Sequence, residues 1–220
     1  PRRRRRCPPR PPRRSPPRNP NPPGSRPAGA VLDVGAATHG VRSYVAFAGG
    51  VAVAAVLGSR AADLLSGLGP PPLSVGDLLP LDHPHGPPLP VDVAPQPALP
   101  GELLLRLVLG PRHDWFTREA LAALRTARYT VATASNRIGL RMEGPALTRA
   151  VRTELPSEGI ALGAVQVPAD GRPVLFLADH PTTGGYPVIG VVGEPDLAAA
   201  AQARPGTPVR FQPLPPAYAG

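Results

Sequence analysis

The sequence predicts a mainly β fold, a compact barrel with short accessory helices, and three observations lead there. Two apolar runs, 173–178 and 187–192, read as strands around the polar, glycine-rich segment Asp179-His180-Pro181-Thr182-Thr183-Gly184-Gly185-Tyr186. A third run, Glu102 to Leu109 (ELLLRLVL), has the pattern of a buried strand. The remaining segments are mostly short, with only two or three helical stretches, and they do not alternate as full-length βαβ units.

In chain order, Ala30 to Val34 opens the ordered part. Over 41–49 the positions Val41, Ser43, Val45 and Phe47 fall on one side and Tyr44 and Ala46 on the other, which predicts a strand ended by Gly49-Gly50. Residues 51–57 read as another short strand or loop. Ser59 to Gly67 reads as a short helix capped by Ser59, on which Arg60 and Asp63 pair. LSVGDLLPL (73–81) reads as a turn at Gly76-Asp77 followed by an apolar strand. The histidines His83 and His85 then open a proline-rich linker or long loop to Pro100, with too few ligands for a structural zinc site.

Past the linker and the strand at 102–109, GPRHD turns the chain. Thr117 caps a helix over 118–128, with Phe116 as a staple against Leu121. Tyr129 to Ala132 returns to strand. Over 135–144, Arg137, Gly139 and Arg141 alternate with Ile138, Leu140 and Met142, which places the two arginines on one face. Glu194 to Ala203 reads as a helix started by Pro195, and 207–211 as a terminal strand before a loose end over 213–220.

Charge and cysteine content restrict the function classes. Residues 1–28 hold ten of the 24 arginines, eleven of the 35 prolines and no acidic residue, so the net charge of +9 belongs to this tail. Residues 29–220 carry 14 arginines against 15 acidic residues, a near-neutral body that speaks against nucleic-acid readout. The tail reads as disordered, suited at most to sequence-indifferent contact with nucleic acid or acidic surfaces. The single Cys7 lies in it, which rules out an intrachain disulfide framework and a multi-cysteine metal site. No apolar stretch reads as a membrane span or secretory signal. Lysine is absent and no GxxxxGK[ST] occurs, so no phosphate-loop lysine is available.

The chemistry concentrates in Arg137, Glu158, Asp179, His180, Thr182, Thr183 and Tyr186, with backbone donors near Gly159, Gly184 and Gly185. An arginine fork matches a planar carboxylate or carbamate, and glycine-supported turns aim N–H groups at an oxygen that gains charge. That set suits amide, urea-like or carboxylate chemistry. Each residue also has an ordinary structural use: Arg137 as partner of Glu143 or another surface acid, Glu158 as a solvated loop acid, Asp179, His180 and the two threonines as turn formers, Tyr186 as packing. A Ser157, His180, Asp179 triad is disfavoured because adjacent Asp179 and His180 point apart.

The segments GVRSYVAFAGG (40–50), VLGSRAADLLSGLGPPPLSVGDLL (56–79), GPRHDWFT (110–117), SNRIGLRMEGPAL (135–147), 154–192 and RPGTPVRF (204–211) together resemble the biotin-dependent carboxyltransferase or allophanate hydrolase subunit 2 family. The resemblance covers about residues 30–212. It implies a cyclophilin-like β-barrel, tandem in the family, and a cytoplasmic protein. It divides the chain into a tail (1–28), the remainder of an amino-terminal barrel module (29–82), the linker (83–100) and a carboxyltransferase-like barrel domain (101–212). Family members carry a further amino-terminal segment resembling TTVQDxGRxG, so the first barrel is expected to be incomplete here, with exposed edges.

The activity implied is that of a subunit of an ATP-dependent 5-oxoprolinase-type complex, which opens 5-oxo-L-proline to L-glutamate. Its partners would be an allophanate hydrolase subunit 1-like protein and a lamB/YcsF-type subunit, with ATP used at the level of the complex. The alternatives are a carboxyltransferase component acting on urea or a related amide, with carboxybiotin as cofactor, and a non-catalytic regulatory partner of the subunit 1-like protein. On the same resemblance Arg137, Glu158 and Asp179 are the expected catalytic residues. Asn136, Gln166, Thr182, Thr183, Gly184, Gly185 and Tyr186 are expected to bind substrate, and no metal is expected.

Overall fold

The computed structural model describes residues 29–86, 98–110 and 112–214. The Arg/Pro tail with Cys7, most of the proline-rich linker and the end of the chain from 215 lie outside the described residues. The chain divides into two compact units: the described parts of one are 29–34 and 43–86, and those of the other are 35–42 and everything from 98 onward.

The second unit contains the barrel. Its elements are β1 (Leu103–Leu109), α1 (Arg118–Thr126), β2 (Tyr129–Val131), β3 (Gly139–Glu143), β4 (Glu158–Gly159), β5 (Ala164–Gln166), β6 (Val174–Phe176), β7 (Thr183–Gly184), β8 (Val188–Val192), α2 (Glu194–Ala200) and β9 (Pro208–Leu214). Seven strands close into a mixed barrel in the order β1-β8-β5-β6-β3-β2-β9, while β4 and β7 form a separate two-stranded ribbon. The barrel closes where β9 runs parallel to β1, with Leu103 opposite Val209 and Val108 opposite Leu214.

Alternation explains which residues face inward. In β1, Leu103, Leu105 and Leu107 are buried while Leu104, Arg106 and Val108 are exposed. Val165, Leu175 and Phe211 join them in one core cluster with Ala120 and Leu124 of α1. Each fully buried leucine of this kind contributes about 1.5–3 kcal/mol through apolar area removed from water. The Thr117 hydroxyl caps α1 by accepting from the Ala120 N–H at 3.1 Å. Asp196 fastens α2 to β1, accepting from the Arg106 backbone N–H at 2.8 Å and from its guanidinium at 2.6 Å.

Residues 35–42 belong to the barrel unit because side chains after α2 satisfy their backbone. Gln202 accepts from the N–H groups of Val41 and Arg42 at 3.0 Å, and Arg204 donates to the Gly40 carbonyl at 2.8 Å. The strand expected over 41–49 does not form. Residues 43–47 have no regular structure, 48–49 form a turn, and Tyr44, Val45 and Phe47 are all exposed. Alternation gives a strand its two faces, and pairing with a neighbour makes the strand.

The helix expected over 59–67 is replaced by turns. Ser59 Oγ accepts from the Ala61 N–H, and Asp63 Oδ1 from the Leu65 N–H at 2.9 Å, so side chains take the donors that would have begun helical turns. Arg60 reaches Asp82 at 3.9 Å. The turn expected at Gly76-Asp77 is present, with the Asp77 N–H donating to the Ser74 carbonyl at 3.2 Å. The strand expected after it reduces to an isolated bridge between Val51 and Leu81. No described residue of 43–86 is buried, and Leu57, Val75 and Leu78 are at least nine-tenths exposed. At the other end, β9 runs through Leu214, so 213 and 214 are strand where a loose end was expected, and the rest of that expected end, 215–220, lies outside the described residues.

Candidate functional site

The candidate residues gather on the outer face of the barrel, where the β4–β7 ribbon lies near β5. Glu158 pairs with Gly184 and Gly159 with Thr183, and the Ile160 N–H donates to the Thr182 carbonyl at 2.9 Å. Ile160, Ala164, Val174 and Phe176 form a second apolar cluster, joined by Ile138 and Val188. At the end of β5, Gln166 is the one buried polar side chain among the described residues, 6% exposed. Its amide donates to the Tyr186 carbonyl at 3.1 Å.

Gly184 makes this approach possible. A Cβ at that position would lie 2.6 Å from Gln166 Nε2 and 3.2 Å from the Ile160 side chain, so the ribbon reaches Gln166 only where the side chain is absent. Gly163 serves the neighbouring strand junction: its φ is +81°, and a Cβ would lie 2.3 Å from the Val192 carbonyl oxygen.

Glu158 is clasped by Arg112 from the turn after β1, through Nε at 3.2 Å and through Nη2. The bond from Arg112 holds the Glu158 carboxyl below the usual carboxylate range, with desolvation opposing it, and the guanidinium is raised in turn. The Arg112 guanidinium also lies 5.6 Å from the centre of the Trp115 ring. The Trp115 carbonyl accepts from the Ala150 N–H at 2.8 Å, next to Arg149. Arg149 stacks its guanidinium 5.5 Å from the centre of the Tyr186 ring and donates through Nη2 to the Val167 carbonyl.

These contacts close on themselves. From Glu158 they pass through Arg112, Trp115, the Arg149-Ala150 backbone, Tyr186 and Gln166 to Gly184, which pairs with Glu158. Of the residues expected from sequence, the structure therefore brings together Glu158, Gln166, Gly184 and Tyr186. Gly185 adjoins them, 3.4 Å from the Leu155 carbonyl oxygen when a Cβ is placed on it.

Asn136, Arg137 and Asp179 form a second group at the corner where β3 begins and β6 has ended, while Thr182 and Thr183 stay with the ribbon. Arg137 donates through Nε to Asp179 at 2.6 Å, which makes Asp179 an acid it pairs with. Asn136 Oδ1 accepts from the N–H groups of Ile138 and Gly139 at 2.9 and 3.3 Å, so its carbonyl is committed to the turn. Arg137 thus precedes β3 and does not continue the strand face of Arg141, contrary to the expected alternation. His180 Nδ1 lies 2.8 Å from the Pro181 carbonyl oxygen, and Thr182 and Thr183 are exposed. The corner is joined to the ribbon through the short segment from Asp179 to Thr182.

Comparison with known proteins adds the family. The model of the carboxyltransferase domain, subdomain A and B, matches residues 14–213. The chain belongs to that family. Within it, this carboxyltransferase domain is similar to the C subunit of 5-oxoprolinase from Escherichia coli (strain K12), 36% identical over 187 residues, covering 84% of this chain and 60% of that protein. The chain therefore spans about three-fifths of that relative. It is similar in structure to the crystal structure of TTHA0988, with a TM-score of 0.69 and 40% identity over 80% of this chain and 34% of that one. The K. lactis urea amidolyase is similar with a TM-score of 0.68 and 28% identity, covering 81% of this chain and 12% of that one.

Three residues of the candidate site escape sequence reasoning: Arg112, Trp115 and Arg149. The first two lie in GPRHDWFT, which reads as a turn leading into α1, and Arg149 lies in a stretch with no period or glycine to mark it. A pairing signal for Arg112 exists only in three dimensions. Among the described residues no group of three or more His, Cys, Asp or Glu could hold a metal, and no helix is long and apolar enough to cross a membrane. A surface depression of about 560 Å³ lies elsewhere, lined by Leu104, Arg125, Arg210 and Leu214 among others. No carboxylate lines it, whereas the ribbon side carries Glu158 and the Gln166 amide.

Proposed function

We propose that this chain acts as a subunit of an ATP-dependent 5-oxoprolinase-type amidohydrolase, binding the planar lactam 5-oxo-L-proline on the ribbon side of the barrel. The observation that carries the reading is one glycine-supported ribbon in which Glu158, its carboxylate held by Arg112, lies opposite Gly184, the residue that sits against the buried amide of Gln166. An ionised carboxylate accepts a proton or orients water, and amide and backbone donors hold a planar carbonyl group. The 36% identity to a protein named as the C subunit of 5-oxoprolinase supports the same substrate.

In this reading Glu158 and Asp179 orient or exchange protons and Arg137 holds Asp179 in place at the adjoining corner. Asn136, Gln166, Thr182, Thr183, Gly184, Gly185 and Tyr186 shape the substrate pocket. The barrel is of the cyclophilin-like kind, and the described residues 43–82 belong to a separate amino-terminal module. The donors around Glu158 suit a planar amide or carboxylate better than a triphosphate, which asks for a helix start or nest of N–H groups. ATP is accordingly assigned to the assembled complex, with an allophanate hydrolase subunit 1-like protein and a lamB/YcsF-type subunit as partners in the cytoplasm.

The likeness to urea amidolyase favours a second reading, carboxyl transfer to urea or a related amide from carboxybiotin. The discriminating experiment is co-purification with both candidate partners, followed by parallel assays with 5-oxoproline, urea and allophanate. ATP-dependent glutamate release is the expected result. Turnover of urea alone favours the second reading, and a stable complex that turns over none of the three assigns the chain a regulatory role.

A further inference from the structure

Three arginines stand around the two groups of candidate residues, and they differ in what they hold. Arg112 clasps Glu158 and Arg137 binds Asp179, so each of those guanidinium groups already faces a carboxylate. Among the described residues Arg149 faces none: the contacts of its guanidinium are the Val167 carbonyl and the Tyr186 ring. Its Nε is buried with no hydrogen-bond partner among the described residues. A buried N–H without an acceptor is costly, and a guanidinium stacked on an aromatic ring keeps its in-plane donors directed outward from the ring edge.

We propose that Arg149 is the residue that receives the carboxylate of the substrate, in place of Arg137, which the sequence alone favoured. The inference rests on the proposed function and names the group of the substrate that this side of the site recognises, a planar CO2 anion. The Tyr186 ring would fix the plane of the fork, and the Val167 carbonyl its rotation. Gln166, whose amide holds the Tyr186 carbonyl, would set the distance between the bound carboxylate and the ribbon. Burial makes the Arg149 cation less favourable than an exposed one, and Tyr186 partly offsets this, so an incoming anion is the missing stabilising partner.

Two sources could supply that anion, the ring acid of 5-oxoproline or the N-carboxylate of a urea such as allophanate. The test titrates the full chain by ligand-observed NMR with 5-oxoproline, allophanate and 2-pyrrolidinone, the last being the same lactam without its carboxylate. R149Q should weaken the carboxylate ligand about tenfold or more, the size expected for a lost charge-assisted pair. It should leave 2-pyrrolidinone unchanged, and R149K, which keeps charge and stem but loses the fork, should fall between. Selective loss for allophanate rather than 5-oxoproline also supports the Arg149 assignment while moving the function to the urea branch. Equal binding of 5-oxoproline by wild type and R149Q, with allophanate unaffected too, overturns the assignment and leaves the proposed function standing. Parallel weakening of 2-pyrrolidinone also overturns it, because that marks a structural role. Absence of binding of all three ligands to the wild type overturns both.

Discussion

Arg112 and Glu158, 46 residues apart in sequence, meet as a two-nitrogen clasp, with Nε at 3.2 Å from the carboxylate. The pair ties the turn after β1 to the β4–β7 ribbon. Because the bond from Arg112 lowers the folded-state pKa of Glu158, its contribution to stability is complete above the ordinary carboxylate value of about 4.3. It is lost as the pH falls from there through the lower folded value, where the folded carboxylate is finally protonated. E158Q should therefore show a shallower loss of urea-unfolding midpoint over roughly pH 5 to 2 than the wild type. Superimposable acid slopes would show that the clasp contributes nothing to the folded state.

Gly184 sets how closely the ribbon can sit on Gln166. In G184A the new methyl would meet Gln166 Nε2 at 2.6 Å and the Ile160 side chain at 3.2 Å, and one of them must move. Loss of the Gln166 to Tyr186 bond together with local overpacking predicts a destabilisation of about 1–3 kcal/mol. Chemical denaturation measures the cost. The backbone amide shifts of Tyr186 and Pro187's neighbours report whether the turn has been displaced, and an unchanged stability with unchanged shifts would contradict the packing described here.

Tyr129 is buried in the core at an edge-to-face angle of 72° to Phe211, and its hydroxyl has no partner among the described residues. Burial pushes the phenol up to about 12. The unfolded chain loses this proton near pH 10 and the folded one only near the raised value, so stability falls as the pH climbs between them. Y129F keeps the ring contact and removes the unsatisfied oxygen. It should be neutral or more stable by about 1 kcal/mol at neutral pH, with a smaller alkaline loss, as read by thermal unfolding at two pH values. A marked destabilisation by Y129F would reveal a hydrogen bond the fold depends on.

The elements legible in the sequence are those whose signal is local. The alternating leucines of β1, the Thr117 cap of α1, the apolar runs at β6 and β8 and the Pro195 start of α2 each appear as expected. β5 hides because all three of its residues are buried, Ala164 and Gln166 beneath outer cover and Val165 in the core, so no alternation remains to read. β4 and β7 have two residues each and owe their pairing to one another alone. Conversely, 41–49 carries strand periodicity without a partner strand. The same distinction divides the site: Glu158, Gln166 and the Gly184 to Tyr186 turn lie in one conspicuous stretch, whereas Arg112 and Arg149 gain meaning only from the carboxylate or ring that folding brings to them.

The parallel pairing of β1 with β9 also governs when the barrel can exist at all. Its first strand waits for its last, so the closing contacts join residues near Leu103 to residues near Val209, across nearly the whole second unit. Closure of so long a loop precedes the reward from those contacts, which places this barrel among slow-folding, high-contact-order topologies. On the ribosome, the edge of β1 that β9 will cover stays unpaired until β9 has emerged, because pairing with β8 takes only the other edge.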